Sequence, residues 1–191
     1  AGNKRGRDRF QDDGGADVAG RLRSLVIRLG DTAGPQINEH IEQLSQGLRR
    51  DIAEHGELIL ETLMDCAAEL PTKTPIYSTL AGLLNASSPE FVGELVARTH
   101  AQCLQALCDP SHRDRGRLML RFLGALVPAA VVKPGAFVEM LRAVVAAARA
   151  AVAGGVDAME EDGGAGPMER LWADYLVYSA LAAIVWGGTE L

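Results

Sequence analysis

The sequence is poor in cysteine and in aromatic side chains. It contains three cysteines among 191 residues, and aromatic residues make up 5% of the chain. An odd number of cysteines without a pairing pattern fits the reduced thiols of the cytosol or nucleus and argues against a disulfide framework. The basic residues at the N-terminus are followed by no apolar stretch until Val18, so a secretory signal peptide is not expected.

Long uninterrupted apolar runs are also missing. The charge-free stretch 175–189 is shorter than the ~18 residues expected of a membrane-spanning helix. The alanine- and valine-rich run 118–156 is interrupted by arginine and lysine. With 48% hydrophobic residues and a net charge of -6, the chain is predicted to be a soluble protein with a sizeable core, which contacts no membrane and does not coat nucleic acid.

The motifs of common enzyme classes are absent from the sequence. There is no serine nucleophile elbow and no phosphate-binding loop that ends in Lys-Ser or Lys-Thr. The carboxylates Glu160, Glu161 and Asp162 lie among glycines, where the fixed geometry of acid–base catalysis is not expected. We therefore predict a protein that is not an enzyme, with no catalytic residue and no cofactor.

One set of residues has the right types for a zinc site: His100, Cys103, Cys108 and His112. At about 100° per residue, the first two fall near one edge of a helix and the last two well round the other. Pro110 also interrupts the helix between the last two. The spacing favours core cysteines and surface histidines and predicts no metal site. A helical metal-dependent enzyme that uses these four residues is the alternative from a different functional class.

The eight prolines lie at the edges of apolar helical patterns and none lies inside one. Proline is tolerated in the first turn of a helix, so this pattern predicts a series of helices joined by short loops. The segments group into antiparallel pairs over 35–70, 75–108 and 110–153, each close to the ~40 residues of a HEAT-like hairpin. The predicted fold is all-α, with HEAT-like helix pairs stacked in an α-solenoid.

The domain prediction has three parts. Residues 1–17 have no hydrophobic period and are expected to be a disordered basic and acidic arm. Residues 18–191 form the helical-repeat domain, and the glycine-rich acidic segment 154–166 is a flexible insertion in it. The helix after Pro167 is apolar on every side and needs cover on both sides. A chain truncated at the C-terminus, an incomplete gene sequence or a partner protein would each account for this.

Two basic groups are candidates for function. Lys4, Arg5, Arg7 and Arg9 are four cations within six residues, which suits a nuclear import signal, nonspecific contact with RNA or a basic tail without function. The second group concentrates charge at the start of one helix: Arg113, Arg115, Arg117 and Arg121. Guanidinium groups can bind phosphates, so weak contact with RNA or a partner is one interpretation of this group, and a solvated helix face is the other.

Two stretches of sequence resemble a known family. The run from Pro75 to Asn85, with Tyr77, Thr79, Gly82, Leu83 and Leu84, resembles a helix in the large subunit of the nuclear cap-binding complex. The second stretch, Asp174-Tyr175-Leu176-Val177-Tyr178 followed by Trp186 and Glu190-Leu191, is similar to a later helix of the same subunit. The resemblance covers roughly 18–191 and implies the middle-domain fold of translation initiation factor 4G.

The resemblance also implies a function. The large subunit is a non-enzymatic scaffold in the nucleus, with shuttling to the cytoplasm. It holds a small cap-binding subunit, which docks mainly on later domains of the full-length protein. It recruits factors of mRNA splicing, export, 3′-end processing and nonsense-mediated decay, and contacts RNA mainly indirectly. A cytoplasmic translation-initiation or mRNA-decay scaffold that binds a DEAD-box helicase is the alternative with the same fold.

Overall fold

The computed structural model describes residues 13–31, 36–154 and 167–190. Within these residues every regular element is helical, with no strand, and the predicted all-α fold is confirmed. The α-helices of this part of the chain are α1 Asp13–Arg28, α2 Ile37–Glu69, α3 Thr74–Asn85, α4 Pro89–Cys108, α5 Arg113–Ala125, α6 Pro134–Gly154 and α7 Pro167–Ile184. Short 3₁₀ turns, Pro71–Lys73, Pro110–His112 and Val185–Glu190, adjoin α3, α5 and α7.

The helix starts follow the prolines as predicted. Pro89, Pro134 and Pro167 each occupy the first position of a helix, where the missing N–H is not needed by the helical hydrogen bonds. Beyond the end of α1, Gly30 has a φ of +80°, in the left-handed region that glycine adopts without strain. The local chemistry of the sequence therefore sets these helix boundaries.

The predicted disordered arm overlaps the first helix of the structure. Helix α1 begins at Asp13, before the expected start at Val18, so 13–17 are helical. Residues 1–12 of the arm lie outside the described residues, and so does the predicted insertion apart from Gly154.

The segment 35–70, predicted as an antiparallel pair, is α2, which spans 33 residues and consists of two helical parts joined at a kink. It is helical through Arg49 and Arg50, and the kink lies at His55, with φ -125° and ψ 19°. Arginine is a good helix former, and the isolated Gly47 costs only about 1 kcal/mol in a helix. The bend lets the first part of α2 pack on α1 while α3, α4 and α5 also pack on this helix.

The predicted pairing of helices within 75–108 and within 110–153 was wrong. The closely packed pairs are α4 with α5 and α6 with α7, whereas α5 packs on α2, α4 and α7 more than on α6. The tight turn Pro110–His112 reverses the chain directly, which brings α5 back along α4. The stacking of helix pairs is confirmed, and the structure corrects which helices form each pair.

The core is continuous through the described helices, and contacts from α3 and from the turn before it anchor α1. The largest fully buried side chains include Tyr77, whose hydroxyl donates to the Val26 carbonyl at 3.4 Å. Lys73 donates to the Ile27 carbonyl at 2.7 Å and forms an ion pair with Asp31. A cation at the last carbonyls of a helix satisfies groups that have no partner within the helix. These contacts fix the C-terminal end of α1.

Two stacked arginines hold α7 against α5. The Arg113 guanidinium lies 4.9 Å from the ring centroid of Trp172 and 5.6 Å from that of Tyr175, near the start of α7. The Tyr175 hydroxyl donates to the Arg113 carbonyl. Beyond the end of α7, the Arg121 guanidinium lies 3.6 Å from the ring centroid of Trp186. Cation–π contacts therefore attach α7 near both of its ends.

A glycine allows α4 and α5 to approach closely. A Cβ atom added at Gly116 would lie 2.9 Å from the Leu107 nitrogen and 3.1 Å from the Ala106 carbonyl carbon, both backbone atoms of α4. The Gly116 carbonyl also accepts a hydrogen bond from the buried Cys103 thiol, 3.4 Å away. Because backbone atoms cannot move aside as a flexible side chain can, this position requires glycine.

We expect Gly116→Ala to lower the free energy of unfolding by about 1–3 kcal/mol, because overpacking separates α4 from α5. The matched control is Gly93→Ala in α4, where an added Cβ meets nothing within 4 Å. The control should gain up to about 1 kcal/mol from helix propensity. Urea unfolding followed by circular dichroism measures both variants. Equal stability of the two would contradict the close approach.

We expect the Arg121 and Trp186 side chains to be coupled by about 1–2 kcal/mol, as a partly desolvated cation–π pair should be. A double-mutant cycle with Arg121→Met and Trp186→Leu measures this coupling in urea unfolding. The hydrogen bond from Arg121 to the Pro71 carbonyl is lost in both variants that carry Arg121→Met, so its contribution cancels from the coupling energy. A control cycle pairs Trp186→Leu with Arg98→Met, because Arg98 bonds Glu94 instead. The same coupling in both cycles would refute the contact.

Candidate interaction surfaces

The predicted arginine group lies at the start of α5 and along it, and its members have partners within the chain. The stacking of Arg113 and Arg121 on α7 is described above. Arg115 donates to Asp65 of α2 at 2.9 Å, and Arg117 donates to Asp114 at 3.3 Å. All four side chains are only partly exposed. Contact with RNA or a partner through this group stays a prediction, and it would compete with these internal contacts.

Burial lowers the pKa of Arg121, and the charge of Arg117 lowers it further by a smaller amount. The Nε atoms of Arg113 and Arg121 are both buried and have no hydrogen-bond partner in the described part of the chain. Both guanidinium groups lie over aromatic rings, and cation–π attraction stabilises their charge there. The side chains of Arg113 and Arg121 therefore pack within the protein and are only partly in contact with solvent.

The other predicted basic group, Lys4, Arg5, Arg7 and Arg9, lies outside the described residues. Its role as a nuclear import signal stays a prediction.

The four zinc-type residues are not gathered into one place. Cys103 is buried, whereas His100, Cys108 and His112 are exposed. Burial raises the pKa of the Cys103 thiol to about 12, which keeps it protonated, although a thiolate is the form that binds metals. Among the described residues, no cluster of three or more histidine, cysteine or acidic side chains has metal-binding geometry. The structure gives no support to the metal-dependent alternative.

Sequence reasoning missed a polar cluster at the start of α5. Asp109 accepts hydrogen bonds from the Ser111 backbone N–H at 2.9 Å and from the Ser111 hydroxyl at 2.6 Å. The Nδ1 atom of His112 lies 2.7 Å from the other Asp109 oxygen. Hydrogen bonds from Ser111, and then from His112, lower the pKa of Asp109 to about 2. The same Nδ1 atom of His112 faces both the Ser111 hydroxyl and the Asp109 carboxylate, whereas a catalytic triad uses a different imidazole nitrogen for each. The cluster therefore caps a turn and is not arranged as a catalytic triad.

An extensive apolar groove lies between α6 and α7. One part, with a volume of about 710 Å³, is lined by Val138 and Val145 of α6 and by Leu181 and Ile184 of α7. A second part of about 630 Å³ shares Val145 with the first and extends to Val152. The two parts form one continuous surface, which we call the α6–α7 groove.

Arginines line the α6 side of this groove. Arg142 and Arg149 are seven residues apart, so they lie on one side of the helix with the groove valines. Arg142 pairs with Glu139 at 2.6 Å, and both side chains are about 70% exposed. The repeat of valine and arginine at intervals of seven in α6 is a signal that sequence reasoning could have used. The predicted second apolar face of α7 is exposed in part at this groove.

A smaller groove of about 380 Å³ lies between α1 and α2, where its apolar lining includes Leu25, Leu29 and Leu44. Leu25 is 55% exposed, so this groove is also partly apolar and open to solvent.

One described segment, Pro167–Gly188, is long and apolar enough by length and composition to cross a membrane. In the structure it packs on α5 and α6, and the core helix of a water-soluble protein meets the same two criteria.

Comparisons with known proteins agree with this architecture. The chain is 33% identical over 175 residues to "Nuclear cap-binding protein subunit 1" of Arabidopsis thaliana, in an alignment that covers 88% of this chain and 20% of that protein. It is 34% identical over 174 residues to the protein of the same name from Oryza sativa subsp. japonica, with 88% of this chain and 19% of that protein covered. The chain thus spans about a fifth of the length of these relatives.

The family model of the MIF4G domain matches residues 19–150. This range runs from α1 into α6 and includes both the long bent helix and the α4–α5 pair. The family match and the stacked helix pairs lead to the same conclusion: the chain belongs to the MIF4G domain family.

Proposed function

We propose that this chain is a scaffold segment in nuclear mRNA metabolism, equivalent to the first helical domain of a nuclear cap-binding large subunit. The observation that carries the proposal is the 33% identity to a nuclear cap-binding protein subunit 1 across 88% of the chain. The MIF4G match at 19–150 supports the same role, because it covers most of the solenoid. The proposed role is protein binding without catalysis.

The surfaces of the molecule suit protein contacts. The α6–α7 groove and the groove between α1 and α2 are both apolar and open, as expected where a scaffold receives the side chains of partners. The arginines of α5 are engaged in ion pairs and ring contacts. Contact with RNA is therefore proposed to be mainly indirect, through bound proteins.

The proposed partners are a small cap-binding subunit and the adaptors of mRNA splicing and export. The small subunit is proposed to dock mainly on parts of a longer protein outside this segment, as the resemblance implies. The chain corresponds to about a fifth of its relatives, so cap binding is proposed for the assembled complex and not for this segment alone. The proposed location is the nucleus, with shuttling to the cytoplasm.

We expect the protein, tagged in its own cells, to be retained with a small cap-binding subunit on a resin that carries 7-methylguanosine cap. Free methylated cap analogue should elute both proteins, because the small subunit stacks the methylated base. The unmethylated analogue is the matched control and should elute neither. Mass spectrometry of the eluate identifies the partners. Recovery of an initiation-type DEAD-box helicase without the small subunit would instead indicate a cytoplasmic translation or decay scaffold.

We expect replacement of Lys4, Arg5, Arg7 and Arg9 by alanine to reduce the nuclear fraction of the chain, because import receptors recognise a cluster of cations. The chain is fused to two fluorescent proteins, so that it is too large to enter nuclei by diffusion, and its distribution is measured by microscopy. A control variant removes four exposed arginines of α1 and α2 instead: Arg21, Arg23, Arg49 and Arg50. An equal nuclear fraction in both variants would show that the N-terminal cluster is not the signal.

A further inference from the structure

We propose that the groove between α1 and the first part of α2, which we call the α1–α2 groove, binds a short segment of a partner protein that carries apolar side chains flanked by acidic residues. The inference rests on the shape, exposure and charge of this groove. It goes beyond the proposed role in the cap-binding complex and holds for any scaffold with this surface, so its failure would leave that role untouched.

The groove has room for a few side chains. Its volume of about 380 Å³ lies at the lower end of the roughly 300–1,000 Å³ of ligand-binding pockets. Leu25, Leu29 and Leu44 supply its apolar lining, and the lining on α2 runs from His40 to Gly47, a rise of about 10 Å or two helical turns. An added Cβ at Gly47 would meet nothing within 4 Å, so this wall is open to an incoming side chain. The groove therefore suits a short peptide segment.

The surface around the groove is unlike one on which a further helix pair stacks. The MIF4G match begins at residue 19, within α1, so α1 and the first part of α2 form the first pair of the matched domain. Among the described side chains of this pair, the exposed large apolar ones are Leu25 and Ile27, both on α1, and most other exposed ones are charged or polar. Stacked neighbours bury a continuous apolar face, whereas the terminal repeat of a solenoid has a polar outer face. A short ligand therefore matches this surface better than another helix pair does.

The two walls of the groove carry hydrogen-bond donors for a carboxylate. Arg28 of α1 and His40 of α2 line the groove, one on each wall, and both side chains are exposed. In the described part of the chain, no carboxylate lies within ion-pair distance of either residue. The nearby Asp31 pairs with Lys73 instead. A carboxylate of a partner can therefore accept hydrogen bonds from the Arg28 guanidinium and the His40 imidazole.

The charge of the groove selects an acidic occupant. No acidic residue of the described chain lines it, because Glu39 and Glu42 of α2 lie outside the lining. The four cations near the N-terminus, between Lys4 and Arg9, have the same sign as Arg28, so charge does not favour the chain's own N-terminus as the occupant. Electrostatic complementarity thus favours a partner segment with carboxylates on either side of its apolar residues.

The first experiment uses the 191-residue chain and three short fluorescent peptides. The first peptide has two adjacent leucines with glutamates on both sides. The second has lysines in place of the glutamates, and the third has serines in place of the leucines. Binding is measured by fluorescence anisotropy at physiological salt.

We expect the glutamate peptide to bind at least about tenfold more tightly than the lysine peptide, and the serine peptide to show no detectable binding. The double variant Arg28→Glu with His40→Glu should reverse the preference, and a reversal cannot result from unfolding. The control variant Arg23→Glu with Arg49→Glu changes exposed arginines of the same two helices outside the lining and should keep the original preference. Equal affinity of the glutamate and lysine peptides for the unaltered chain, or no reversal in the first double variant, would overturn the proposal.

A blocking variant tests the site without a change of charge. Gly47→Gln should place a polar side chain in the groove and abolish binding of the glutamate peptide. Glutamine is a better helix former than glycine, so the variant should be no less stable than the unaltered chain. The matched control is Gly93→Gln in α4, where an added Cβ also meets nothing within 4 Å, and it should bind the peptide normally. Unchanged binding by Gly47→Gln would mean that the peptide binds elsewhere and would overturn the proposal.

Photo-crosslinking identifies the occupant in the protein's own cells. A photoreactive amino acid replaces Gln43, which lines the groove and is exposed, in the tagged protein. We expect cross-links to a different protein, at a segment that contains both apolar and acidic residues. Cross-links confined to the same polypeptide, to a second copy of it, or to a segment without acidic residues would contradict the proposal.

Discussion

The packing of the described helices depends on the burial of α5. Seven of its 13 residues are buried, and it contacts α2, α3, α4 and α7. A pair of helices cannot bury its apolar stripe without a stacked neighbour, so an element shared between pairs joins them into one core. The close approach at Gly116 on one side and the contact of Gly124 with α7 on another show how tightly this shared helix is enclosed.

The charged face of α5 serves as a second packing surface. Arg113, Arg117 and Arg121 are spaced four residues apart, so they lie on one side of the helix. The first and last stack on aromatic rings near the two ends of α7, and Arg117 pairs with Asp114. Arginine can cover apolar and aromatic surface with its stem and its planar head while it keeps its charge. These arginines, which the sequence suggests as a phosphate-binding patch, therefore attach α7 to α5.

The sequence predicted where helices occur better than it predicted which helices pack together. Proline positions and apolar periodicity are local signals, and they placed the starts of α4, α6 and α7 correctly. The kink of α2 at His55 was not predicted, because helix continuation depends on packing along all of α2, which no local window contains. The second face of α7 was predicted from its composition, whereas the groove requires α6 to lie beside it. Pairing is a tertiary property, decided by the connections and by close contacts such as that at Gly116.

The arginines of α5 and α6 differ in their burial: those of α5 pack within the fold, and those of α6 stay exposed. On α5, partly buried guanidinium groups meet rings and carboxylates, and their charge is compensated within the chain. On α6, Arg142 and Arg149 stand beside exposed apolar side chains of the α6–α7 pair. Arg142 pairs there with Glu139 while both side chains stay about 70% exposed, so this ion pair is screened by solvent and contributes little to the packing of α6 on α7. Burial thus decides which arginines of the described chain hold helices together.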